Sequence, residues 1–360
     1  KLKINGSVSL MDFHHEMKGT SYNEEYLTTG TRAEAAANNM HGRNTNGTLW
    51  ASSNYELSKR TQLNVNLSGN ITGGKSDSQS ETQLFDKRAR IDTVTVGYER
   101  SLSRNHSNSF SVSADFTHSF SEGGTALSIV ARMDANNSGS TSNSNSTTHY
   151  RQLRNNAGTD SLQLRNLQQL SPTQSKHTSL SALLTQPLGK KVRLQAGWGV
   201  VMSNNHRKQD TYDKARTNGM WVDSLSNESR LNSLGQEVKL TLSYDSEQIR
   251  ANGGLTLQPQ RKRFHQRYNG ETRDTTLRHA DFRPMANIRW RAKGMNVRLD
   301  YTGYTSQPSA EMLLAFRNTT DPLAIREGNP NLKPTFNNLF GLEWEHERLG
   351  LTLRLNYQTA

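Results

Sequence analysis

Short apolar/polar alternations, joined by connections that are by turns brief and long, limit this chain to very few architectures. Leu2, Ile4, Val8 and Leu10 share one parity, as do Val192, Leu194, Ala196, Trp198, Val200 and Met202. Period two is the signature of a half-exposed strand. About thirteen such runs follow one another, from residues 2–10 to 351–357, and none becomes continuously apolar as a buried parallel sheet would. Brief turns fall near residues 59, 105, 189, 247, 293 and 347, and long polar segments near 30, 80, 150, 220, 270 and 320. A soluble sandwich has no reason to keep that rhythm. A transmembrane β-barrel has one, because its periplasmic turns are short and its extracellular loops long. The expected fold is all-β, an antiparallel transmembrane barrel.

The composition suits that reading. Apolar residues make up 32% of the 360 residues, and mean hydropathy is -0.83. A barrel with a polar interior and polar loops tolerates this, and the patterning argues against disorder. No apolar run reaches the roughly 20 residues of a membrane helix, which a barrel does not need. There is no cysteine, hence no disulfide or thiolate site. The net charge of +12 fits basic loops and turns, or attraction of anionic partners such as lipopolysaccharide phosphates. Nucleic acid is not an expected partner: the most basic stretch, 261–268, lies between alternating runs and reads as a loop.

Local signals are weak beside this frame. Thr31-Arg32-Ala33-Glu34 before Ala35-Ala36-Ala37 is a capping box and predicts a short helix within the polar segment 11–46. The low-complexity run 136–146 predicts a mobile loop. Trp50, Trp198, Trp290 and Trp344 lie in or near strands and suit interfacial girdles or core positions. Gly69 to Ser76 spells the P-loop pattern G-x-x-x-x-G-K-S, but no buried strand precedes it and no apolar helical stripe follows. His14-His15-Glu16 is a metal candidate only if a loop lets the two imidazoles converge, since neighbours on a strand point to opposite faces. Asp245 with Glu247, and Glu343 with Glu345, put paired acids on strand faces, where Arg289, Arg298 and Arg354 are the expected lumen partners. No catalytic constellation, cofactor site or metal site is expected, and the chain is not expected to be an enzyme.

One long connection between two alternating runs is chemically distinctive. It contains Pro308 and Ser309, then Asp321, Pro322, Ile325, Gly328, Asn329, Pro330, Asn331, Leu332, Lys333 and Pro334. Its prolines exclude a continuous helix or a central strand. The run Asp-Pro-Leu-x-Ile-x-x-Gly-Asn-Pro-Asn-Leu-Lys-Pro, following Pro-Ser, resembles the late barrel loop of TonB-dependent receptors, most of all the receptor-like outer-membrane β-barrel proteins of the Bacteroidetes. Thr335 stands where those proteins usually carry Glu.

The resemblance implies a barrel of about 22 strands, closed by an N-terminal plug that engages TonB, and import of a siderophore, metal complex, glycan or peptide. It implies outer-membrane lipid and lipopolysaccharide, the TonB complex and a surface lipoprotein as partners, and the Gram-negative outer membrane as the location. Residues 1–360 are then expected to be part of one barrel domain, without its plug and closing strands, and so an open sheet in which residues 2–10 do not pair with 349–357. The competing readings are a passive porin or secretion-channel barrel and a soluble β-rich adhesin.

Overall fold

The computed structural model describes residues 1–27, 30–86, 92–121, 123–150, 161–216, 219–268, 270–292, 294–308, 312, 317–318, 326–327, 329, 332–346 and 349–359. The chain forms β1 (Leu2–Leu27), β2 (Gly30–Ser58), β3 (Thr61–Asp86), β4 (Asp92–Ser119), β5 (Ala126–Tyr150), β6 (Ser161–Pro187), β7 (Val192–Asp213), β8 (Met220–Trp221) and β9 (Asn227–Asp245). It continues with β10 (Ile249–Tyr268), β11 (Glu271–Ala292), β12 (Met295–Ser306), β13 (Arg317–Asn318), β14 (Arg326–Glu327), β15 (Thr335–His346) and β16 (Leu351–Thr359). All but β13 and β14 belong to one 14-stranded sheet. It is an antiparallel meander in which each long strand pairs with its sequence neighbours and β8 clips onto β7. β1 and β16 are its two edges, and residues 2–10 pair with β2 rather than with 349–357.

Connections alternate between the two ends of the sheet, as the rhythm predicts. Lys190 lies in the β6–β7 turn and Asn329 in the β12–β15 connection. An odd number of passes, β7, β9, β10, β11 and β12, separates them, so they lie at opposite ends. Gly189 and Gly294 take φ of 122° and 78°, a region that costs glycine nothing, and so permit the tight turns at their end.

Several expectations are corrected. The described residues of the polar segments 11–46, 72–91, 132–176, 204–235 and 259–279 are mostly strand rather than loop. Strands run far into all of them, and β2 alone has 29 residues. The brief turn expected at 103–108 is interior to β4, and the chain reverses at 120–125 instead. The helix expected at 31–37 is strand: Ala35, Ala36 and Ala37 pair with Tyr22, Ser21 and Thr20 on one side and with Gln83, Thr82 and Glu81 on the other. Two flanking strands satisfy every backbone group there, and tertiary pairing overrides helix propensity. The low-complexity run 136–146 lies within β5, paired on both sides for the same reason. Residues 261–268 are the outer part of β10.

Register sorts the side chains into two faces. One rung runs Ala51, Leu67, Val112, Met133. Another runs Ala196, Leu240, Leu255. A third runs Ile249, Trp290, Val297, Trp344, Leu353 near the short turns. The intervening rungs carry Asn66 with Ser52 and Ser113, and Arg298 with Arg289 and Glu343. One face is therefore an apolar belt continuous from β1 to β16, and the other is polar. Trp198, Trp290 and Trp344 belong to the belt, whereas Trp50, opposite Ser7 and Ser68, is on the polar face. In the belt the Phe340 ring stacks on Tyr301 at 4.9 Å and meets Tyr357 at 6.3 Å.

Among the described residues the only buried apolar side chains are Ala33, Leu84 and Phe264, while Val8 is 77% and Leu240 54% exposed. Water would penalise such a face at about 25 cal/mol per Å², so hydrocarbon has to cover it. From Leu63 to Ile71 the belt extends about 26 Å along the strand at ~3.3 Å per residue, or about 20 Å in height at a tilt of about 40°, close to the band of about 25 Å on outer-membrane barrels. The strands overshoot it at the end opposite the short turns. Met11–Leu27 adds about 55 Å to β1 at ~3.3 Å per residue, while β12 and β15 have only 12 residues each. The wall is thus tall over β1–β6 and low over β12 and β15.

Candidate functional site: the polar face and the root of the longest connection

Near the short turns the polar face carries a row of arginines. The carboxylate of Glu343 accepts from Arg354 Nε at 2.8 Å, Asp300 pairs with Arg298 Nε at 2.7 Å, and Asp245 with Arg250 Nε at 3.2 Å. Arg289 Nε donates to Asn296 Oδ1 at 3.1 Å, and Asn296 Nδ2 in turn donates to Glu345 Oε2 at 3.2 Å. The expected pairing of these acids with Arg289, Arg298 and Arg354 holds for Glu343 directly and for Glu345 through Asn296. The pairing of Asp245 with Glu247 on one strand face does not hold, because β9 ends at Asp245 and Glu247 sits in the following turn. Pairs this exposed contribute little stability individually; they line the wall with charge of both signs.

A tighter knot lies at the outer edge of the belt. Asp281 is 4% exposed and sits on the polar face of β11, opposite Gln258 of β10. Its Oδ2 accepts from Gln260 Nε2 at 3.1 Å and its Oδ1 from Gln307 Nε2 at 2.7 Å. Gln307 is the first residue after β12, so this carboxylate ties the root of the 307–334 connection to two wall strands. Pro284 lacks an N–H, and the β11–β12 ladder stops beside it at Met285 and Thr302. The Thr305 hydroxyl then accepts from the Phe282 N–H at 3.2 Å. His279 Nε2 lies 3.7 Å from Asp281 Oδ1, too far for a hydrogen bond. Outside the belt, burial pushes the His279 pKa down, Lys262 adds to the effect and Asp281 opposes it.

Sequence reasoning missed Asp281 and its glutamines. The sequence offered only an acid next to the last belt residue, Phe282; that it faces Gln258 across the ladder is decided by register. Of the motif residues, Pro308, Asn329, Leu332, Lys333 and Pro334 are described. The Asn329 N–H donates to Met312 O at 2.6 Å and the Leu332 N–H to Asn329 O at 3.3 Å. Ser309, Asp321, Pro322, Ile325, Gly328, Pro330 and Asn331 lie outside the described residues. Within the same connection β13 pairs with β14 as a separate two-stranded sheet.

The other motifs resolve simply. Gly69 to Ser76 lies inside β3, and its backbone groups are engaged by β2 and β4, so no N–H cradle exists for a phosphate. Lys75→Ala is expected to change no nucleotide affinity, since there is none; micromolar ATP binding that disappears in this variant is the contrary outcome. His14 and His15 are successive residues of β1 opposite Arg43 and Gly42, and they point to opposite faces. Glu16 binds Lys18 Nζ at 2.7 Å and His41 Nε2 at 3.3 Å instead. Among the described residues no three His, Asp or Glu side chains converge as metal ligands would.

Residues 127–360 match the outer membrane protein beta-barrel family. No curated protein matches the chain. Among solved structures, the translocator domain of the autotransporter NalP from Neisseria meningitidis is 12% identical, with 78% of this chain and 85% of that one covered and a TM-score of 0.29. The outer membrane transporter YddB from Escherichia coli is 6% identical, with 96% and 71% covered and a TM-score of 0.23. The ferripyoverdine receptor of the Pseudomonas aeruginosa outer membrane is 8% identical, with 99% and 64% covered and a TM-score of 0.20. Overlaps this low carry no argument about fold or function. The family match covers more than half of the chain, and the apolar belt independently demands a membrane. The chain belongs to the outer membrane protein beta-barrel family and resides in the outer membrane.

Proposed function

We propose that this chain is barrel wall from a TonB-dependent transporter that imports a nutrient, such as a siderophore, metal complex, glycan or peptide. The observation that carries the reading is the 307–334 connection. Its Pro-Ser and Asp-Pro-Leu-to-Lys-Pro residues resemble the late barrel loop of TonB-dependent receptors, and it is rooted at the outer end of the wall by the Gln307–Asp281 bond. The polar face supports it too: a lumen lined with arginines, acids and amides suits a folded plug and a hydrated solute better than an apolar cargo. On this reading the wall belongs to a barrel of about 22 strands, the plug contacts TonB, and a surface lipoprotein meets the outer rim. No residue of this chain then has a catalytic role.

The test is uptake by cells that express the full-length protein in a strain lacking its gene. Labelled ferric siderophore, oligosaccharide and peptide serve as probes. Uptake of one of them is expected to stop when TonB is deleted or the proton-motive force is collapsed. Uptake that continues without TonB would identify a passive pore.

A further inference from the structure

Two motifs with no role on the polar face meet on the other one. Register aligns His14, Arg43, Lys75 and Arg104 of β1–β4 in a single rung, and all four side chains are exposed. The rung shares the face of the apolar belt: His14 lies four residues beyond Leu10, and Lys75 four beyond Ile71. Like charges directly opposite one another on paired strands repel, and Arg43–Lys75–Arg104 sets two such pairs side by side. The acids nearby are taken. Asp12 binds Arg43, Asp77 binds Arg100 and Glu16 binds Lys18, each at 2.7 Å. Among the described residues neither Lys75 nor Arg104 has an acid within 4.0 Å. Asp12 compensates Arg43, but Lys75 and Arg104 stand side by side without an acid and need an anion from elsewhere.

Inward of it, past the rung of Asp12, Thr45 and Gly73, a groove of about 760 Å³ opens at the top of the belt; its lining includes Leu10, Leu49, Ile71 and Phe110, with Lys176 at its far side. Gly47 and Gly69 leave it open; a Cβ at Gly69 would meet only the Ser109 carbonyl oxygen, at 3.8 Å. The rung lies four residues outward of Ile71, about 13 Å along the strand at ~3.3 Å per residue, or about 10 Å in height at a tilt of about 40°. The headgroup layer begins where the hydrocarbon ends and is roughly 5–8 Å deep on each side. Lysine and arginine stems can reach back into it along apolar surface.

We propose that this rung and groove form a binding site for a phosphate-bearing lipid of the outer leaflet, with an acyl chain in the groove and the phosphate on Lys75 and Arg104. The site is independent of what the pore transports. Charge complementarity selects the anionic headgroup, and the apolar floor selects a lipid over a free anion.

The test uses the full-length protein in phosphatidylcholine nanodiscs with bisphosphorylated lipid A, with dephosphorylated lipid A, or with inorganic phosphate in the buffer. Bisphosphorylated lipid A is expected to bind and raise the melting temperature; the other two are not. Loss of two basic side chains near an anionic surface is expected to weaken lipid A binding about 30-fold, and Lys75→Glu with Arg104→Glu, which also adds repulsion, by at least that factor. The melting temperature in pure phosphatidylcholine should stay unchanged. The neutral pair Lys75→Gln with Arg104→Gln guards against misfolding by charge reversal and should lose most of the same affinity. Gly69→Leu should weaken lipid A binding with both cations intact. Equal binding by the charge-reversed protein, an equal response to dephosphorylated lipid A, or an equal response to inorganic phosphate would each overturn the proposal.

Discussion

Leu67→Arg is expected to destabilise the folded protein in a bilayer by about 2–4 kcal/mol, the cost of an arginine facing lipid near the midplane. Asn66→Arg, one residue away, should cost less than about 0.5 kcal/mol, as surface changes away from special features do. Leu67 is central in the β3 segment of the belt, flanked by Ala51 and Val112. Asn66 points the other way, between Ser52 and Ser113, and its side chain donates to the Ser113 hydroxyl in a weak 3.4 Å bond. Only the face differs, because side chains alternate along a strand. Denaturant titration of the full-length protein with lipid vesicles would read both values. Equal losses, or a larger loss for Asn66→Arg, would mean that the faces have been assigned the wrong way round.

Asp281→Ala is expected to release the root of the 307–334 connection. The change removes the shared acceptor of Gln260 and Gln307. Both glutamines are half-buried and can turn toward water, so the loss is about 0.5–1.5 kcal/mol for each hydrogen bond, or about 1–3 kcal/mol together. Asp281→Asn keeps one carbonyl acceptor and should lose about half as much. Hydrogen exchange should locate the effect: amides of residues 302–307 should exchange about 100-fold faster in Asp281→Ala, while those of β3 and β4 are unchanged. If the wall is as proposed, cells carrying Asp281→Ala should also lose uptake before they lose the protein from the membrane. Unchanged exchange at 302–307 would mean that the prolines hold the connection without the carboxylate.

The alternation of Leu2 to Leu10, Leu63 to Ile71 and Leu351 to Tyr357 was enough to determine strands, a two-faced sheet and a membrane location. Hydrocarbon enforces period two on every strand that crosses it, so that pattern survives in the sequence. The order of brief and long connections likewise determined which turns share an end. What lies beyond the belt was not legible. Outside hydrocarbon neither face is held to an apolar pattern, so Ser, Asn and Gly runs such as 136–146 and the alanines of 35–37 look like loop or helix. They are strand because β4 and β6, or β1 and β3, stand beside them and take up their backbone N–H and C=O groups. The same limit hid the turn at 120–125 and the knot at Asp281, whose partners lie 21 and 26 residues away along the chain. It also hid the rung His14–Arg43–Lys75–Arg104, where four unrelated segments meet only through register. Residue identity determined which side chains could face lipid. Strand pairing alone decided which charges became neighbours, because a cross-strand contact depends on the sum of two positions and not on either position by itself.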